Sequence, residues 1–152
     1  MLRKISYLII VCFLGGSCQS QKRNNQTLQN KVSGNTSLSG NWKLTERNYK
    51  DENVKKTYLL HPCEKQYTLI FEYSNGKNYL TKNYSTGKNC EIKSNSGRLT
   101  ITITESSFSY LDLDLKRTEY YKINDRKLYV NYNEILDGKV RQIEDVYEKV
   151  VK

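Results

Sequence analysis

The sequence predicts an all-β domain, an antiparallel up-and-down β-barrel that follows a signal peptide and a flexible tether. Three observations predict it. After Ser39, apolar and polar residues alternate with period two in short runs, about nine of them, which is how a strand with one buried face is written. Turn-forming pairs such as Asn75-Gly76 and Asp137-Gly138 separate these runs at intervals of roughly 8–12 residues, the spacing of a sandwich or barrel. No long segment carries helical periodicity. Short turns between successive runs favour a meander, because neighbours in sequence then pair directly.

The runs come in order. Gly40 to Arg47 places Trp42 and Leu44 on one side and Lys43 and Thr45 on the other. Asn48 to Pro62 is long and polar, with Tyr49, Tyr58 and His61, and is expected to be a loop. Gln66 to Tyr73 aligns Tyr67, Leu69, Phe71 and Tyr73 on one face. Ser74-Asn75-Gly76-Lys77 is a hairpin signal, since asparagine and glycine accept the positive φ of a tight turn. Asn78 to Tyr84 follows, then Thr86-Gly87, a short run around Cys90 to Lys93, and an expected turn at Ser94 to Gly97. Arg98 to Thr104 is the clearest strand: Leu99, Ile101 and Ile103 alternate with Thr100, Thr102 and Thr104. Phe108 to Leu115 is expected to continue with Leu111, Leu113 and Leu115 on the apolar face, opposite Asp112 and Asp114. Glu119 to Ile123, Lys127 to Tyr132 and Gln142 to Val150 complete the series, with turns at Asn124-Asp125 and Asp137-Gly138.

The first residues have another pattern. Met1 to Lys4 is basic, Ile5 to Leu14 is apolar, and Gly15-Gly16-Ser17 are small. A helix needs roughly 20 apolar residues to span a bilayer, so this run fits a cleaved signal peptide better than a transmembrane anchor. Small residues running directly into Cys18 resemble a lipobox, which implies diacylglycerol on the Cys18 thiol and a membrane-anchored chain. Leu14 lies four residues before the cysteine, where the usual pattern puts leucine three before. The alternative is an ordinary signal peptide that contains a cysteine. Gln19 after Cys18 favours the outer membrane by resemblance to lipoprotein sorting rules. Acyl chains in multiple copies give the stable attachment that one chain does not.

Taking residues 1–17 from the 152 leaves 135, enough for one core. Cys18 and the stretch to Leu38 (QSQKRNNQTLQNKVSGNTSL from Gln19) are polar and aperiodic, and are expected to form a disordered tether. A short helix over the barrel mouth is the alternative. The folded domain is expected from Ser39 to Lys152.

Hydrophobic residues make up 37% of the chain and mean hydropathy is −0.76. Thirteen tyrosines offset this low value, since each buries a ring while its hydroxyl stays wet. The formal charge is +9, and without Arg3 and Lys4 of the leader it is +7. Such a balance attracts nucleic acid or anionic headgroups. Export argues against nucleic acid, and the lysines are scattered among apolar residues, as on a solvated face.

Cys12 leaves with the leader. Cys63 and Cys90 remain in an oxidising compartment, and a single internal disulfide is the expected outcome. The alternative, a metal site with His61, needs more ligands than the neighbourhood offers.

Gly40-Asn41-Trp42 at the head of the first strand matches the G-x-W motif of the lipocalins. The segment from Ser39 to Val150 resembles the lipocalin-like lipoproteins of bacteria, which join a lipobox and tether to this opening. The resemblance implies that Gly40 and Trp42 close one barrel end and that a basic residue of the last strand, here Lys149, packs over the indole. Lipocalins more often have arginine there. It also implies paired cysteines at positions like Cys63 and Cys90.

Catalytic chemistry is hard to find. His61 is the lone histidine, no serine sits in a G-x-S-x-G elbow, and no phosphate-cradling glycine loop or Cys-x-x-Cys pair is present. Asp112, Asp114, Glu144, Asp145 and Glu148 have the spacing of solvated strand faces. The chain is therefore expected to be no enzyme and to use no metal or other cofactor. Tyr67, Tyr73, Tyr121 and Tyr132 with Leu69, Phe71, Leu99, Ile101 and Leu111 are the candidate lining of an apolar cavity with a few hydroxyls, suited to a small hydrophobic or amphipathic ligand. A filled barrel that docks an envelope protein or glycan is the second reading.

Overall fold

The computed structural model describes residues 37–151. Cys18, the leader and the expected tether up to residue 36 lie outside the described residues. Nine strands follow in order: β1 (Gly40–Asp51), β2 (Val54–Tyr58), β3 (Thr68–Ser74), β4 (Lys77–Thr86), β5 (Glu91–Ile103), β6 (Ser107–Asp112), β7 (Leu115–Asn124), β8 (Lys127–Leu136) and β9 (Lys139–Lys149), with one 3-10 turn at Glu64–Gln66 between β2 and β3. All pair antiparallel, and β1 pairs with β9, so β1 and β3 to β9 close an eight-stranded meander barrel. β2 stands outside that ring. One edge of β1 pairs with β3 from Gly40 to Lys43 and then with β2 from Arg47 to Asp51.

Most of the hairpin turns place one or two residues at positive φ, a conformation that asparagine, aspartate and glycine accept most readily. Asn75 (51°) and Gly76 (75°), and Asp137 (52°) and Gly138 (73°), sit where the sequence predicted turns. The turn expected at Asn124-Asp125 falls instead at Asp125-Arg126. The expected loop from Asn48 is also partly strand. β1 runs on to Asp51, turns at Glu52-Asn53 and returns as β2.

Two further corrections follow from register. The expected turn at Ser94 to Gly97 is a bulge within a continuous β5: Arg98 opposes Thr81 and Ser94 opposes Asn83, so the extra residues bulge out and Gly97 takes φ +65°. On β6, Phe108 and Tyr110 take the inward parity, so Leu111 falls outside, and Leu113 lies in the turn with φ +53°. Leu111, Leu113 and Leu115 are therefore 64%, 93% and 66% exposed, not core.

The core fills the barrel end where β1 begins and β9 finishes. Trp42, Leu44, Leu80, Phe108, Leu128 and Val130 are almost completely buried there, and the Phe71 ring meets Phe108 edge-on at 5.3 Å. Leu38, expected in the tether, is fully buried in this core. At the other end, the Cys63–Cys90 disulfide joins the 3-10 loop to the β4–β5 hairpin across 27 residues. It takes both thiols from the alternative metal site with His61. Closing such a loop stabilises the fold by about 3–4 kcal/mol on the chain-entropy model. Cys63→Ser with Cys90→Ser is expected to lower the melting temperature by roughly 10–20 °C. Thermal denaturation of the variant beside the oxidised parent checks this.

Candidate functional site

Trp42 plugs the end at which β1 starts. Its Nε1 donates to the Leu38 carbonyl at 2.7 Å, and the Lys149 Nζ lies 5.2 Å from the indole centroid. Trp42 and Lys149 are cross-strand partners, which sets the ammonium over the ring. Gly40 has φ +128°, a backbone conformation that calls for glycine, and a Cβ there would also displace the Lys149 side chain, whose Cε would lie 2.8 Å away. Gly40, Trp42 and Lys149 thus lie together at this end.

The opposite end is open and holds a cavity of about 530 Å³. Its character differs from expectation: among the described residues the walls are mostly tyrosine rings and charged or amide side chains, with Leu69 the one aliphatic side chain. A register shift in β1 between Leu44 and Glu46 explains part of this. Strict alternation would send Glu46 inward after Trp42 and Leu44. The extra residue sends Arg47 inward instead. From β9, Asp145 meets it: Arg47 Nε and Nη2 donate to the two carboxylate oxygens at 2.7 and 2.8 Å. Tyr132 OH and Tyr147 OH donate to Asp145 Oδ2 at 2.9 and 3.3 Å, and Arg47 Nη1 donates to Glu64 at 3.1 Å. Asp145 is 1% exposed, and four donors compensate its removal from water. Burial alone would lower the Arg47 pKa, but the hydrogen bonds and charge of Asp145 raise it, so the guanidinium is permanently charged.

A second buried cluster lies on β4, β6 and β7. Lys82 Nζ donates to Tyr110 OH at 2.6 Å and to Glu119, and Tyr110 OH also donates to Glu119. Lys82 lies 4.7 Å from the Tyr110 centroid. Nearby, Tyr84 and Tyr67 pack edge to face at 5.1 Å. The cavity therefore offers flat aromatic walls for stacking and two fixed ion pairs with directed hydrogen-bonding groups.

Burial, reinforced by Glu119 or Asp145, pushes the phenols of Tyr110, Tyr132 and Tyr147 well up, and burial carries Tyr84 to about 12. A raised folded pKa stabilises the protonated form. This contribution is complete below the ordinary phenol value of 10.0 and is lost as pH rises through the folded values. Alkaline titration is expected to release this part of the tyrosinate absorbance together with unfolding, above about pH 12 for Tyr84. Circular dichroism recorded in parallel would contradict this if every tyrosine ionised while the strands persisted.

The residues chosen from sequence divide three ways. Tyr67, Leu69 and Tyr132 line the cavity. Phe71, Ile101 and Tyr121 are buried in the core and Leu99 packs on it. Tyr73 and Leu111 lie outside, 63% and 64% exposed: Tyr73 shares the parity of Phe71 but stands where β3 leaves the closed end. Arg47, Lys82, Tyr84, Tyr110, Glu119, Asp145 and Tyr147 were missed. Asp145, expected on a solvated face, is buried. Its parity with Tyr147 and with Lys149, the residue placed over Trp42, was the available signal.

The molecule is thus a closed antiparallel meander barrel, sealed by a tryptophan at one end and hollow at the other. The model of the lipocalin-like domain matches residues 38–130, well over half of the chain, and the protein belongs to that family. Among solved structures it is similar to the possum milk whey lipocalin trichosurin, crystallised at pH 4.6 with bound 4-ethylphenol. The two are 17% identical, the match covers 74% of this chain and 76% of that one, and the TM-score is 0.45. None of the curated proteins matches the chain.

Proposed function

We propose that this protein is an exported lipoprotein, anchored in the envelope through a lipid on Cys18, whose barrel binds one small amphipathic molecule without covalent chemistry. The observation that carries the binding reading is the hollow end, about 530 Å³ with Tyr67, Tyr84 and Tyr132 on its walls. A flat or aliphatic body packs against those rings and Leu69. A polar group exchanges hydrogen bonds with the Arg47 and Lys82 clusters. A cavity of this size speaks against the filled-barrel reading, in which only the loops would engage an envelope protein or glycan. The leader and the residues around Cys18 support the anchor, and Gln19 supports the outer membrane as its place.

Two substitutions test the two parts. Cys18→Ala is expected to move the protein out of the membrane fraction of fractionated cells, and unchanged retention would refute the anchor. Leu69→Trp places an indole in the cavity. Native mass spectrometry after exposure to envelope lipid extract is expected to find a non-covalent adduct on the parent and none on the variant. Glu134→Trp at the mouth is a second plug with less effect on packing, because Glu134 is exposed. Equal adducts on all three chains would refute the cavity as the binding site.

A further inference from the structure

Exposed aliphatic side chains are distributed unevenly over the barrel. Among the described residues, eight of the ten large exposed aliphatics belong to the hairpins and loops of the hollow end, and the other two are Val150 and Val151 at the chain terminus. Leu59 (90%), Leu113 (93%) and Val140 (74%) are the most exposed of the eight. The β6–β7 hairpin carries the densest group, with Leu111, Leu113 and Leu115 in five residues.

That hairpin also stands apart. β6 pairs with β5 only at Thr102–Ser109 and Ile103–Phe108, near the plugged end. β7 pairs with β8 only from Tyr120 to Asn124. Between these contacts and the tip, the two strands pair only with each other. The hairpin is a two-stranded tongue beside the mouth, and its inner face supplies Asp112, Arg117 and Glu119 to the cavity wall. The Arg117–Asp112 ion pair at 3.2 Å holds its two strands in register.

We infer that the mouth rests on a lipid bilayer, with the leucines of the tongue inserted among the acyl chains. The choice of a lipid surface rests on the anchor proposed at Cys18. The 20 residues from Gln19 to Leu38 lead into the plugged end, and covalent geometry lets them reach roughly 65–70 Å. β1, with 12 residues, rises about 40 Å. A barrel on such a leash can turn its mouth back to the membrane that holds it. Separate aliphatic tips around an opening suit a surface that deforms around each of them, as lipid does. Lys116 beside Leu115 and Lys139 beside Val140 have no ion pair among the described residues and can extend to headgroups, while Asp114 and Asp137 in the same turns limit the depth of insertion. Docked in this way, the cavity opens directly onto the lipid phase, where an amphipathic ligand is concentrated.

Tryptophan placed at the tip tests this in the full chain. Trp42 is 1% exposed and gives a constant background. With phosphatidylethanolamine–phosphatidylglycerol vesicles carrying brominated acyl chains, Leu113→Trp emission is expected to shift blue and be quenched. Tyr73→Trp, at the plugged end, should keep its spectrum. Leu111→Ser with Leu115→Ser is expected to reduce the Leu113→Trp quenching roughly tenfold at fixed lipid. Repeating the measurement in a Cys18→Ala chain separates this inference from the anchor: quenching at position 113 that persists there upholds the docked mouth even if cell fractionation refutes the lipid on Cys18. Quenching equal at positions 73 and 113, or absent at 113 while the chain is vesicle-bound, would overturn it. A blue shift at 113 without lipid that grows with protein concentration would overturn it too, assigning the tips to a second copy of the chain.

Discussion

Asp145→Ala is expected to destabilise the barrel by about 3–5 kcal/mol, because it removes the buried carboxylate of an ion pair and leaves the Arg47 guanidinium short of its main partner. The Arg47 side chain is 17% exposed and that of Asp145 2%. Without the carboxylate, the guanidinium keeps only Glu64 and the Tyr132 hydroxyl as acceptors, and the Tyr147 hydroxyl loses its acceptor. Domains of this size have roughly 5–15 kcal/mol in total, so the loss is a large share. Asp145→Asn keeps an acceptor but not the charge and should fall between parent and alanine. Glu148→Ala, three residues on, removes an exposed pair with Lys127 and is expected to change stability by less than about 0.5 kcal/mol. Urea denaturation of the three variants checks the ranking, and equal midpoints for Asp145→Ala and Glu148→Ala would refute the cluster's structural role.

Trp42→Ala is expected to cost about 3–5 kcal/mol through the cavity it leaves at the plugged end. The effect has three parts: the lost indole packing, the Leu38 carbonyl left without its indole donor, and the Lys149 ammonium left without its ring. Trp42→Phe keeps a ring for Lys149 and should lose less, about 1–2 kcal/mol, chiefly from the unpaired buried carbonyl. Neither change touches the cavity wall, so ligand affinity per folded molecule is expected to remain. Thermal denaturation with a parallel binding titration distinguishes this from a role for Trp42 in ligand contact, which would weaken binding in the fully folded Trp42→Phe protein.

The barrel was legible because it is written in short-range chemistry. Period-two alternation and positive-φ turn residues marked eight of the nine strands, and only β2 was hidden, its lysine-rich run looking like a loop. The plugged end was legible for the same reason: Gly40, Trp42 and Lys149 sit in regular register. The cavity was much less so. Its polar lining depends on a bulge after Leu44 that no composition signal announces, and on which of two alternating faces turns inward. At Leu111 the more apolar set of residues was the outer one, because Phe108 and Tyr110 already filled the inner face. At Asp145 a charge was read as solvated, although Arg47, 98 residues away in sequence, compensates it inside. Long-range ion pairs of this kind leave no periodicity behind.

The central claim is that ligand is held at the hollow end, among tyrosines and ion pairs, and not in the apolar core behind them. Side-chain magnetic resonance of the chain during titration with its extracted ligand tests this most directly. The account predicts that ring signals of Tyr67, Tyr84 and Tyr132 shift together to saturation at one equivalent while the Trp42 indole signal stays in place. A shifted Trp42 with unmoved tyrosines would contradict it.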